Sequence, residues 1–201
     1  MNAMGGRNAW EATRYLAWDF FGSRKHIWDK HTGDVRIESK RDNYKLIMNI
    51  HSMKGKVWKD GTMVTHPDSL SKFLEKGKNA WINDSYWLVM PYKLKDSGVT
   101  LKYIGDDKTV ENTDADVLEL IFKKVGKTPH NKYLVFVDKK TRLVTQWTFF
   151  TNASDDKPRF ATPWNGYKKY GNIMLSGGRG TYELKDIEVL DSVPKGTFTE
   201  L

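Results

Sequence analysis

Apolar and polar positions alternate along most of this chain in short runs separated by turn residues. In RYLAWDFFG, Leu16, Trp18 and Phe20 fall on one face of an extended strand. Tyr15, Ala17 and Phe21 make the other face apolar too, so cover is expected on both sides. KHIWDKHTGDVRIES contains two strand-like pieces joined at Lys30-His31-Thr32-Gly33. NYKLIMNI alternates through Tyr44, Leu46, Met48 and Ile50. Period two broken by glycine-containing turns predicts antiparallel hairpins, and MKGKVWKDGTMV repeats the pattern around Asp60-Gly61, the strongest local hairpin turn.

The period then changes. Leu70, Phe73, Leu74, Gly77 and Trp81 share one helical face, and Thr65-His66-Pro67-Asp68 supplies a cap, an early proline and an acidic first turn. A helix or helix pair is predicted over about residues 68–88, with Gly77 as a break between its halves and Pro91 as its stop. The apolar run Trp87-Leu88-Val89-Met90 is far short of the about 20 residues that span a bilayer, so it is expected to be buried or kept for a ligand.

Strand patterning resumes after Pro91. GVTLKYIG puts Val99, Leu101 and Tyr103 on one face, and DADVLELIFKKVG puts Leu118, Leu120 and Phe122 on one face with Val117 and Ile121 on the other. NKYLVFVDKKTRLVTQWTFF reads as a hairpin around Asp138-Lys139-Lys140-Thr141. Three more strands follow, broken at Asn165-Gly166 and Gly177-Gly178. The sum is roughly ten or eleven antiparallel strands, a short N-terminal helix near residues 3–13 and one central helical insert. The predicted fold class is α+β, mainly β: a strongly curved antiparallel sheet, as an open barrel, with helices on one face, in a single domain over residues 1–201.

Composition narrows the chemistry. The 201 residues are 39% hydrophobic and 13% aromatic, enough to close a substantial core. The formal net charge of +8 would suit nucleic acid, lipid headgroups or a membrane surface. The lysines are dispersed, however, so solvated strand faces account for the charge with less. Cysteine is absent, which excludes disulfides, thiolate catalysis and cysteine-ligated metals. The five histidines form no HxH or HExxH, and DDKTVENTDAD lacks the spacing and central glycine of an EF-hand, so no metal site is expected. SGGRGTY has neither GxGxxG nor GxxxxGK[ST] spacing, and a wide hairpin turn accounts for its glycines. There is no GxSxG elbow and no nucleophile with an evident base, so catalytic residues and cofactors are both expected to be none. MNAMGGRNAWEATRYLAW lacks the charged start and apolar stretch of a signal peptide, and a soluble chain is expected.

What remains is aromatic and methionine content: eight Trp, nine Tyr, nine Phe and seven Met. Such residues mostly build cores. A sheet that is apolar on both faces nevertheless has more apolar wall than a two-layer core needs, so an internal cavity for a hydrophobic ligand stands beside ordinary packing as a reading.

The order of elements resembles the lipoprotein-carrier fold of LolA and LolB. The stretches TRYLAWDFFGSRKHIWDKHTGDVRIE, YWLVMPYKLKDSGVTLKYIG and NKYLVFVDKKTRLVTQWTFF resemble a LolA-like family of uncharacterised exported proteins of Gram-negative bacteria. The resemblance implies an incomplete half-barrel around an apolar cavity, with a helical lid (about 68–90) on its concave face. It implies a cavity wall of Leu16, Trp18, Phe20, Val35, Ile37, Leu46, Met48, Leu118, Leu120 and Phe122. Lid contacts would come from Phe73, Leu74, Trp81, Trp87, Leu88 and Met90. It also implies a periplasmic or otherwise exported location and a lipid or lipoprotein acyl chain as partner. Three functions follow as expectations: a non-enzymatic, monomeric carrier of a hydrophobic ligand with peripheral membrane contact; an envelope protein-interaction module with a packed interior; and, last, single-stranded nucleic-acid binding.

Overall fold

The computed structural model describes residues 1–122 and 130–200. The end of the predicted DADVLELIFKKVG strand, residues 123–126, lies outside them. The helices are α1 (Gly6–Ala12), preceded by a 3-10 turn at Asn2–Met4, and α2 (Pro67–Lys93). The first strands are β1 (Tyr15–Phe20), β2 (Arg24–Asp29), β3 (Asp34–Ser39), β4 (Tyr44–Asn49), β5 (Lys54–Lys59) and β6 (Thr62–Met63). After α2 come β7 (Val99–Lys108), β8 (Asp114–Phe122), β9 (Lys132–Asp138), β10 (Val144–Phe150) and β11 (Phe160–Pro163). The last are β12 (Asn165–Tyr170), β13 (Ile173–Arg179), β14 (Tyr182–Glu183) and β15 (Lys185–Leu190). Fifteen strands are described, against the expected ten or eleven, and the two-residue pieces β6 and β14 account for part of the difference.

These strands form three open sheets, ordered β15-β1-β2-β3-β4-β5-β6, β11-β10-β9-β8-β7 and β12-β13-β14, none closed into a barrel. The fold class is α+β, mainly β, as the alternation predicts. Contacts group the chain into two compact units. One comprises Asn8–Leu88, Lys169–Ile173 and Glu183–Leu201; the other comprises Met1–Arg7, Val89–Lys168 and Met174–Tyr182.

In the first unit the hairpins follow their turn chemistry. Asp60 and Gly61 adopt φ of 52° and 78°, the left-handed pair that a two-residue type I′ turn requires. At the β2–β3 turn the Asp29 carboxylate accepts the backbone N–H groups of His31 and Thr32. Register puts Leu16 opposite Trp28, Trp18 opposite His26, His26 opposite Ile37 and Ile37 opposite Leu46, so these side chains share one face. The opposite face is also covered, as expected for RYLAWDFFG. Phe198 stacks on Tyr15 at 6.4 Å, Arg36 donates to the carbonyls of Thr197 and Glu200, and Lys56 donates to that of Thr199. Arg36, Ile47 and Lys56 form one cross-strand row on this face, and Ile47 between them is buried.

Three predicted punctuation marks do not act as expected. Gly77 is no break: α2 runs through it, and Gly77 faces β4 so closely that a Cβ there would lie 2.5 Å from Leu46 Cδ2. Pro91 is no stop, because the helix continues to Lys93. The Tyr92 hydroxyl, in the second unit, lies 2.6 Å from the Met4 carbonyl and 2.9 Å from the Met174 carbonyl, and accepts the Met174 N–H at 3.2 Å. A side chain anchored in this way holds the last turn despite the hydrogen bond that proline removes. Gly177 and Gly178 do not break a strand either. They lie inside β13, where a Cβ on Gly178 would overlap the Asn165 side chain. The N-terminal helix is shorter than predicted, because Gly5 and Gly6 adopt φ of 103° and 85° and separate the 3-10 turn from α1.

Tyr92 gives a first prediction. Burial pushes the pKa of its hydroxyl up to about 12, and removing that hydroxyl strands the buried Met4 carbonyl and the half-buried Met174 backbone groups. Tyr92→Phe is expected to lower stability by about 1–3 kcal/mol in urea unfolding, and a change within error would show that water replaces the bonds.

Candidate functional site

The first unit contains a helix laid on a sheet through a periodic set of contacts. Phe73 of α2 meets Tyr44 at 6.1 Å, Gly77 meets Leu46 and Met48, Trp81 packs edge-on against Trp28 at 5.2 Å, and Trp87 meets Phe21 at 5.8 Å. Steps of four residues from Phe73 to Gly77 and Trp81, and of three from Trp81 through Asp84 to Trp87, keep these side chains on one helix face, as the 3.6-residue repeat demands. Asp84 is on the same face and is fully buried. It receives Arg24 Nε at 2.6 Å, Arg24 Nη2 at 2.8 Å and His26 Nε2 at 2.7 Å, and the His26 ring stacks on Trp18 at 4.5 Å.

The electrostatics of this cluster assign its protons. Burial opposes ionisation of Asp84, but the hydrogen bonds from His26 and Arg24 outweigh it and hold its pKa below 3.8. Burial lowers the His26 pKa from 6.5 despite the favourable Asp84. An ionised Asp84 only accepts, so the neutral imidazole carries its proton on Nε2. Trp18 Nε1, Trp28 Nε1, Trp81 Nε1, Tyr44 Oη and His26 Nδ1 are buried without a hydrogen-bond partner among the described residues. Each such atom costs about 1–3 kcal/mol, so aromatic packing and the Asp84 cluster hold this layer together.

The second unit presents a different surface. On one face of its five-stranded sheet, register aligns Leu101, Leu120, Tyr133, Phe149 and Phe160 in a row crossing β7 to β11. A neighbouring row on the same face contains Tyr103, Leu118, Val135, Trp147 and Thr162. The rings touch in sequence: Phe122 to Tyr133 at 5.8 Å, Tyr133 to Trp147 at 4.9 Å, Tyr133 to Phe149 at 5.2 Å and Phe149 to Phe160 at 5.2 Å. Leu120, Val135 and Trp147 are buried; Leu101, Leu118, Phe122 and Phe149 are half-buried. Phe160 is 37% and Tyr103 57% exposed, so the margins of this apolar face meet solvent. Trp147 continues to Trp164 at 5.8 Å, and the Arg179 guanidinium lies 3.3 Å from the Trp164 ring, where burial pushes its pKa down to about 9.

The predicted site residues therefore fall into two groups. Leu16, Trp18, Phe20, Val35, Ile37, Leu46 and Met48 lie on the α2 side of the first sheet, with Phe73, Trp81 and Trp87 of the predicted lid in contact there and Leu74 and Leu88 buried in the same unit. Leu118, Leu120, Phe122 and Met90 belong to the second unit. Sequence reading missed the Arg24, His26 and Asp84 cluster, because its members are 60 and 58 residues apart and follow no motif. It also passed over Tyr133, Trp147, Phe149 and Phe160 as wall residues. Their alternation was visible, but their alignment in rows depends on register.

Fold and site together define an α+β, mainly β protein with open antiparallel sheets and a partly exposed aromatic sheet face. Solved structures similar to this chain include two of low sequence identity. A DUF1329 family protein from Desulfovibrio piger has a TM-score of 0.46 and 11% identity, covering 92% of this chain and 86% of that one. MucB in complex with MucA(peri) has a TM-score of 0.27 and 13% identity, covering 91% of this chain and 60% of that one. No family profile and no curated protein matches the sequence.

Proposed function

We propose that this is a non-enzymatic, exported binding protein that takes an apolar ligand, an acyl chain in the first instance, on the aromatic face of its five-stranded sheet. The observation that supports this reading is the two-row apolar face whose centre is buried and whose margins, at Tyr103 and Phe160, meet solvent. Apolar ligand sites have this form, with a rigid aromatic wall and few polar groups. The resemblance to the carrier fold supports the ligand class and the location. In this reading Leu16 to Met48 on the first sheet, with Phe73, Trp81 and Trp87 against them, are packing. The ligand surface is Leu118 and Phe122 with Phe149 and Phe160, while Leu120, Tyr133 and Trp147 form the packed layer behind them.

Titration with a fluorescent polyene fatty acid tests it. Losing one phenyl ring of contact removes about 2 kcal/mol, so Phe160→Ser is expected to weaken binding by about 10-fold or more, and Phe149→Ser similarly. Absence of binding to the unmodified chain would refute the reading. A second reading, a protein-interaction module, draws on Tyr103 and Ile104, which are 57% and 46% exposed on the edge strand β7. Ile104→Ala would then weaken a partner contact and leave fatty-acid titration unchanged.

A further inference from the structure

We propose that the outer face of the β4-β5-β6 edge is a docking surface for an anionic lipid bilayer. Register places Lys45, Trp58 and Met63 in one row across the three strands, and alternation puts Lys54 and Lys56 beside Trp58 on the same face of β5. Met63 is 50% exposed, Trp58 is half-buried, and the three lysines are exposed. Among the described residues, Lys54 and Lys56 form no ion pair, and Lys56 Nζ donates only to the Thr199 carbonyl, at 3.2 Å. Lys45 lies 3.7 Å from Glu38, whose carboxylate is already held by Arg36 at 2.7 Å. Asp60, the acid at this edge, is neutralised by Lys59 at 2.5 Å.

The patch therefore presents net positive charge around an indole and a thioether. A headgroup interface accepts that combination: the indole sits at headgroup level, the methionine enters the acyl boundary, and lysine stems extend so that their ammonium groups meet phosphates. Each lysine near an anionic surface contributes about 1 kcal/mol, and the net charge of +8 draws the chain toward it. Single-stranded nucleic acid would need successive rings for stacking, whereas this face offers one. Among the described residues β6 ends its sheet, with no strand paired beyond the patch. The proposal is independent of the aromatic face in the second unit.

Flotation of the full chain with phosphatidylcholine vesicles, with and without about 30 mol% phosphatidylglycerol, tests it. Retention is expected only on the anionic vesicles, falling as salt rises. Reversing Lys54 and Lys56 together to Glu should lower the partition coefficient by at least about 10-fold, and Met63→Ser by several-fold. Both variants alter surface positions, so unchanged thermal unfolding will certify them as folded. No retention, equal retention on uncharged vesicles, or retention that both variants leave intact would overturn the proposal. Displacement from the vesicles by a single-stranded oligonucleotide at the same salt would also overturn it, in favour of nucleic acid.

Discussion

Asp84→Ala is expected to destabilise the first unit by about 3–5 kcal/mol, measured as a shift in the urea unfolding midpoint. The substitution removes the only carboxylate that Arg24 and His26 share among the described residues, and it leaves a guanidinium with 22% side-chain exposure and a buried imidazole facing apolar surroundings. The loss belongs at the lower end of that range, because Arg24 reaches some water. Asp84→Asn retains one acceptor and is expected to lose less. If alanine costs under about 1 kcal/mol, the ionic cluster is incidental and aromatic packing alone docks the helix.

The same cluster gives a pH dependence of definite sign. The folded-state pKa of His26 lies below its ordinary 6.5, so on acidification the unfolded chain takes up that proton first and stability falls as pH drops through about 6.5. Asp84 also titrates below its ordinary 3.8, so its contribution is complete above that value and is lost as pH falls through the folded-state pKa. Other charges face the pair. Asp19 on β1 favours protonated His26, Arg24 on β2 opposes it, Asn83 on α2 donates to Asp84, and Tyr44 and Asp42 act on Arg24. Urea midpoints should be level above about pH 7 and decline below it, and Asp84→Asn should abolish the steepest, most acidic part of the decline. A flat profile to about pH 4 would contradict the assigned protonation states.

Gly77→Ala is expected to destabilise, against the usual rule. In an exposed helix interior the change gains about 1 kcal/mol, and Asn79→Ala, one exposed position of the same helix, provides that control. At Gly77 the new methyl would approach Leu46 Cδ2 to 2.5 Å and Met48 Sδ to 3.3 Å, and both side chains are buried in the core. Overpacking of this kind costs about 1–3 kcal/mol, which exceeds the propensity gain. Thermal melts of the two variants should therefore move in opposite directions. A stabilised Gly77→Ala would mean that the helix can lift from β4 at little cost.

The contrast at Gly77 also shows where sequence reading ends. A glycine inside a helical pattern can mark a break or a close approach, and the local pattern is the same for both. What decides is the Leu46 and Met48 surface about thirty residues earlier, which no local signal contains. Pro91 repeats the point. Its stop signal is correct as local chemistry, but Tyr92, bonded to Met4 and Met174, holds the final turn in place. Where a local rule and a tertiary anchor compete, the anchor wins if it is buried and its alternatives are unsatisfied polar groups.

The sequence by itself determined the class of fold, the strands, their hairpin turns and the helix. Period two, period 3.6 and left-handed turn residues such as Asp60-Gly61 are local properties, enforced by backbone sterics wherever the segment lies. It also determined which faces are apolar, including both faces of RYLAWDFFG. Only the tertiary structure decided which apolar faces meet. It placed Leu46 under Gly77, closed Arg24 and His26 on Asp84, and aligned Leu120, Tyr133, Phe149 and Phe160 into one wall. Those outcomes depend on strand register and helix docking, and a one-residue slip in register would turn each side chain to the opposite face.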